Sequence, residues 1–70
     1  MDILVFKTNL TNQNRIRAIT PQLDEHPNIH RWNVDLQDCD NILRIETERL
    51  CGTEIENLLL DAGYYCKELE

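Results

Sequence analysis

A short polar segment, Thr11-Asn12-Gln13-Asn14-Arg15, separates two incompatible hydrophobic periods. Before it, Ile3-Leu4-Val5-Phe6 puts apolar side chains on both faces of an extended chain, the pattern of a central strand. After it, Ile16, Ile19 and Leu23 recur at three- and four-residue steps, the buried stripe of a helix. The pattern predicts a strand over residues 2–8 and a helix capped by Thr11 or Asn12, whose side chain accepts a free backbone N–H. Pro21 falls inside the helical pattern. It lacks a donor and crowds the preceding turn, which predicts a kink or short non-helical step near Arg17 to Thr20. His26-Pro27-Asn28 ends the helix.

From Ile29 to Leu36, Trp32, Val34 and Leu36 alternate with Arg31, Asn33 and Asp35, as on a half-buried strand. Gln37-Asp38-Cys39-Asp40-Asn41 is made of turn formers, and Ile42 to Thr47 is a third strand, so the two strands form a hairpin. Thr53 and Glu56 match a capping box, with Ile55, Leu58, Leu59 and Ala62 facing the core behind it. Gly63 supplies a left-handed stop, and Tyr64 to Leu69 is the last strand. Strand, helix, strand, strand, helix, strand with right-handed crossovers gives an α+β, ferredoxin-like sandwich. Its four-stranded antiparallel sheet has the order 4-1-3-2, and both helices lie on one face.

Seventy residues make a single domain, 1–70. No apolar run approaches the roughly 20 residues of a membrane span. Met1-Asp2 begins no positively charged leader, so the expected location is cytoplasmic and no membrane is expected as partner. The net charge of −6 repels phosphate backbones and argues against nucleic acid. Ten of the thirteen acids lie from Asp35 onward, where they serve solubility or a basic partner surface.

The segment before the first helix resembles the strand-loop-helix junction of the heavy-metal-associated, copper-chaperone-like domains. There the family carries Met-x-Cys-x-x-Cys, whose two thiolates hold a soft metal. Here Leu10 stands at the Met position, Asn12 at the first Cys and Arg15 at the second. The resemblance covers roughly residues 3 to 69. It continues through Leu23, Pro27-Asn28-Ile29, Val34-Asp35-Leu36 and Ala62-Gly63-Tyr64. It implies the family's fold and, without the cysteine pair, implies no copper transfer at this loop. Asn offers a weak neutral oxygen, and Arg is a permanent cation with no acceptor.

Other candidate ligands are scattered. Cys39, Cys51, Cys66, His26 and His30 would have to supply a relocated metal site, and His26 and His30 match a helical ligand pair only if the helix runs through Pro27. An odd cysteine count without a leader implies three free thiols. Cys39 lies in an acidic turn that blunts its reactivity, Cys66 alternates inward, and Cys51 precedes a helix start and is the candidate reactive thiol. Arg15 and Arg17, beside a helix N-terminus, are a candidate anion site. No catalytic triad, phosphate loop or acid pair stands out, so no enzyme and no cofactor are expected.

The leading expectation is a non-enzymatic protein-interaction module on this scaffold. Alternation puts Leu4, Phe6, Trp32, Val34, Leu43 and Ile45 towards the helices and Ile3, Val5, Ile42, Tyr65 and Leu69 on the opposite, open face. Those five are the candidate surface for an unidentified protein partner or for a second copy of the chain. The alternatives are a metal-binding protein using relocated Cys/His ligands and a small-anion sensor using the Arg15 loop.

Overall fold

The computed structural model describes residues 2–69. β1 (Asp2–Thr8) takes a central place in a four-stranded antiparallel sheet. α1 (Gln13–Asp24), β2 (Ile29–Asp35), β3 (Ile42–Thr47), α2 (Gly52–Asp61) and β4 (Cys66–Glu68) follow. The lateral order is β2-β3-β1-β4, the expected 4-1-3-2 counted from the other edge. β1 pairs with β3 so that Phe6 faces Leu43 and Leu4 faces Ile45. Its other edge pairs with β4, with Thr8 opposite Cys66.

One face of this sheet carries the core. Phe6, Leu43 and Ile45 meet Ile19 and Leu23 of α1 and Ile55 and Leu59 of α2, and all seven are fully buried. Trp32 and Val34, on the edge strand, are half-buried against that cluster. Leu10 and Leu50 seal its two ends from loops, where no periodic pattern marks a residue as buried. Trp32 closes the β2 side by donating from Nε1 to Asp24 Oδ1 at 2.8 Å.

α1 is continuous through Pro21, so the expected non-helical step at Arg17–Thr20 is absent. Proline costs one intrahelical bond here, the one its nitrogen would have made to the Arg17 carbonyl. Both residues lie on the exposed side of the helix, where solvent can take the donor's place. One residue earlier the Thr20 hydroxyl donates to the Ile16 carbonyl at 2.8 Å. The N-cap is Asn12, whose Oδ1 accepts the Arg15 N–H at 2.9 Å.

The capping box at Thr53 and Glu56 does not form. α2 starts earlier, at Gly52, with Cys51 as its N-cap and no side-chain cap bond. Glu56 instead reaches the last strand, where its Oε2 accepts the Glu68 N–H at 2.8 Å. Gly52 makes room for this arrangement, because a Cβ there would collide with the Glu68 carboxylate. That carboxylate therefore lies beside the helix N-terminus, where the dipole favours negative charge. The far end of α2 stops as expected. Gly63 adopts φ +91°, its N–H donates to the Leu60 carbonyl and the Tyr64 N–H to the Leu59 carbonyl, both at 2.9 Å. β4 is shorter than the expected Tyr64–Leu69, although the Leu69 N–H still donates to the Val5 carbonyl at 2.8 Å. Similarly, β2 ends at Asp35 and Leu36 belongs to the turn.

Candidate functional site: the first loop and the open sheet face

The loop after β1 is wired to the rest of its pole by hydrogen bonds. The Thr8 N–H donates to the Asp40 carbonyl at 3.2 Å, and the Thr8 hydroxyl to the Asn41 carbonyl at 2.6 Å. Asn9 bonds Tyr65 twice, through its own N–H and through its Oδ1, tying the loop to the segment before β4. Leu10 is fully buried beneath it. Arg15 folds back from α1 and donates from Nη1 to the Asn9 carbonyl at 2.9 Å. Asn12 and Arg15 thus close this loop with a cap bond and a cationic clasp. Neither offers a soft donor for copper(I) or zinc.

This clasp also bears on the anion site. One Arg15 nitrogen is committed to a backbone carbonyl. Arg17, two residues on, projects from a different side of the helix, so the two guanidinium groups do not converge.

The relocated metal ligands do not assemble. Among the described residues, the three metal-type side chains whose donor atoms come within 4.8 Å of one another are Asp38, Cys39 and Asp40, in the β2–β3 turn. Their bonds are those of a tight acidic turn: Asp38 Oδ1 accepts the Asp40 N–H at 2.9 Å, and the Asp40 carboxylate faces Lys7 at 3.4 Å. His26 uses Nδ1 to accept the Asn28 N–H, and His30 faces Glu48 at 3.5 Å. All three cysteines are free. Cys39 and Cys51 are exposed, and Cys66 is buried. Burial, reinforced by the Glu56 and Glu68 carboxylates, pushes the Cys66 thiol up to about 12, which keeps it neutral and unreactive.

On the open face the register sets the neighbours. Ile3, Val5 and Lys7 alternate along β1; Arg44 stands opposite Val5, and Glu46 opposite Ile3. Arg31, Asn33 and Asp35 continue these rows on β2, opposite Glu46, Arg44 and Ile42. Lys67 faces Lys7. The register brings together Ile3, Val5 and Leu69, since the Leu69 N–H bonds the Val5 carbonyl. It sets Tyr65 apart beyond the Lys7–Lys67 row, and leaves Ile42 in a shallow groove with Asn33, Asp35, Asp38 and Arg44. Ile3, Tyr65 and Leu69 are strongly exposed, at 60%, 47% and 41%; Val5 and Ile42 are half-buried.

Basic residues gather on this face of an acidic chain. Lys7, Arg31, Arg44 and Lys67 are four of the seven basic residues, set among Asp35 and Glu46, with Asp40 bridged to Lys7 and Asp38 beside Arg44 in the groove. Alternation in the sequence is enough to place Arg31 and Arg44 beside the apolar residues. It does not reveal the lysine row, because which residue of β4 meets Lys7 is a matter of register.

Solved structures of copper-handling domains share this geometry. The yeast copper transporter domain Ccc2a, in apo and Cu(I)-loaded states, matches with a TM-score of 0.83, at 15% identity over 100% of this chain and 97% of that one. The chain has the fold of the heavy-metal-associated domains. The Atx1–Cu(I)–Ccc2a complex matches at 0.82, with 16% identity over 97% of this chain and 94% of the other. The apo heavy-metal-associated domain of the copper chaperone for superoxide dismutase matches at 0.80, with 22% identity over 97% of this chain and 66% of that chain. No family model and no curated protein sequence matches the chain. Among the described residues no helix is long and apolar enough to cross a membrane.

Proposed function

We propose that the chain is a non-enzymatic, cytoplasmic protein-interaction module that keeps the heavy-metal-associated scaffold and has given up metal transfer at its first loop. The working surface is the open sheet face. Its partner is a protein whose docking surface combines apolar contacts with carboxylates. One observation carries this reading: exposed Ile3 and Leu69 and half-buried Val5 form an apolar group beside a row in which Lys7, bridged to Asp40, directly faces Lys67, on a chain of net charge −6. Like charges directly opposite on a sheet destabilise it. Their position beside exposed apolar residues fits a surface completed by an acidic partner. The complex of Atx1 with Ccc2a is a precedent for domains of this fold meeting protein partners.

The test compares proteins retained by the immobilised wild-type chain with those retained by two variants. Ile3→Glu combined with Lys67→Glu alters the open face, whereas Leu60→Glu alters an exposed residue of α2. Partners lost by the first variant and kept by the second support the open face. Equal retention by both, with the circular dichroism of each unchanged, removes it.

A further inference from the structure

The edge of the sheet at β2 has a self-complementary pattern. Its five residues Arg31-Trp32-Asn33-Val34-Asp35 lie in regular register with β3, and the irregularity between Ile29 and Arg31 stays outside them. Arg31, Asn33 and Asp35 are exposed on the open face; Trp32 and Val34 are half-buried on the helix side. The opposite edge strand, β4, has three residues, which limits what it can pair with. β2 has seven and contains neither proline nor lysine, the usual guards of an edge.

We propose that two copies of the chain pair through their β2 strands, antiparallel and with the twofold axis at Asn33. In that register Arg31 stands opposite Asp35 of the second copy, and Asp35 opposite its Arg31. Trp32 meets Val34 on the helix side, an aromatic–β-branched pair, and Asn33 meets itself. Charges on an edge ordinarily keep copies apart; here the sign inverts across Asn33, positive at Arg31 and negative at Asp35, so the antiparallel copies attract. A two-residue shift of this register pairs the charges with neutral residues, a four-residue shift sets like against like, and an odd shift puts them on the wrong face. Both charges are available for the contact. Arg31 is 83% exposed and makes only a long contact, 3.8 Å, to Glu46. Asp35 is exposed and uses Oδ1 to accept the Gln37 N–H. The result is an isologous dimer with a continuous eight-stranded sheet, and its two open faces lie side by side. Edge pairing is independent of whether that face holds a partner.

The experiment is sedimentation velocity on the full chain from micromolar to millimolar concentration. The wild type dimerises. Arg31→Asp places aspartate opposite Asp35 at both contacts, Asp35→Arg places arginine opposite Arg31, and each variant dimerises at least about tenfold more weakly. An equimolar mixture of the two regains dimer, because every reversed charge then meets its opposite. A wild type that is monomeric at millimolar concentration, variants that dimerise as well as the wild type, or a mixture that regains nothing overturns the proposal. Should Asp35→Arg disturb the Gln37 turn, isotope-filtered NMR on a mixed-label wild-type sample decides instead. A Trp32–Val34 contact between copies is expected, and a dimer lacking it refutes this register.

Discussion

Two side chains set the chemistry of the first loop. Asn12 caps α1 and Arg15 clasps the Asn9 carbonyl, so the loop is closed without thiolates. Asn12→Cys with Arg15→Cys removes the cap and the clasp, and the apo variant loses about 1–2 kcal/mol of stability. It gains copper(I) binding, and the metal raises its Tm again because it binds the folded state alone. Titration followed by NMR checks both halves. The wild type shows no copper(I)-dependent ordering of Thr11 to Arg15, and such ordering would end the claim that the loop has given up metal. At the opposite pole Thr47 is fully buried, and its hydroxyl has no hydrogen-bond partner among the described residues. Thr47→Val keeps the shape and removes a desolvated polar atom, so stability rises by about 1 kcal/mol. For a domain of this size the Tm rises by roughly 4–8 °C, read in a thermal melt.

At the scale of elements, α1 and the α2–β4 unit each hold a feature their own sequence misrepresents. Pro21 reads as a break and is accommodated on the exposed side of an unbroken helix. Pro21→Ala restores the bond to the Arg17 carbonyl. The gain of about 3 kcal/mol in propensity is partly offset by a looser unfolded chain. A net rise of about 1–2 kcal/mol follows, with hydrogen-exchange protection appearing at residue 21. In the α2–β4 unit, Glu56 reads as a capping residue and serves instead as the acceptor that anchors Glu68. Cys66 lies in the same unit, with its thiol pushed up to about 12 by burial and then by Glu56 and Glu68. Its ordinary value is 9.0, so between about 9 and 12 the unfolded chain has lost a proton that the folded one keeps. Stability therefore falls as pH rises through that window and is untouched below it. Melts of the wild type and Cys66→Ala from about pH 8 to 11 read this as a steeper loss in the wild type; parallel slopes would refute it.

At the scale of the whole molecule, basic residues are unevenly spread. The open face gathers four of seven basic residues while the chain as a whole is acidic. An acidic partner on that face is attracted by charges that salt screens over about 10 Å at 0.1 M. Its association rate falls several-fold between roughly 50 and 500 mM salt, while dissociation changes less, as stopped-flow mixing measures. A salt-independent association rate would leave the apolar residues alone to explain binding.

Much of this was legible in the amino-acid order. Alternation in Ile42–Thr47 and three- and four-residue steps at Ile16, Ile19 and Leu23 are local signals, and local signals yield element order and, with right-handed crossovers, the fold. The absence of soft ligands at positions 12 and 15 is legible too, since donor chemistry belongs to residue identity. Non-local facts were not. Leu10 and Leu50 are buried because distant elements close over loops that carry no period. Glu56 meets Glu68 across twelve positions, a partnership that displaces the local capping bond. Tyr65 and Ile42 share a face with Val5 by alternation, yet the register puts the lysine row before one and a polar groove around the other. Which face a residue takes follows from a period of two along its own strand. Which residues it meets there depends on strand register, and only the packed sheet decides that.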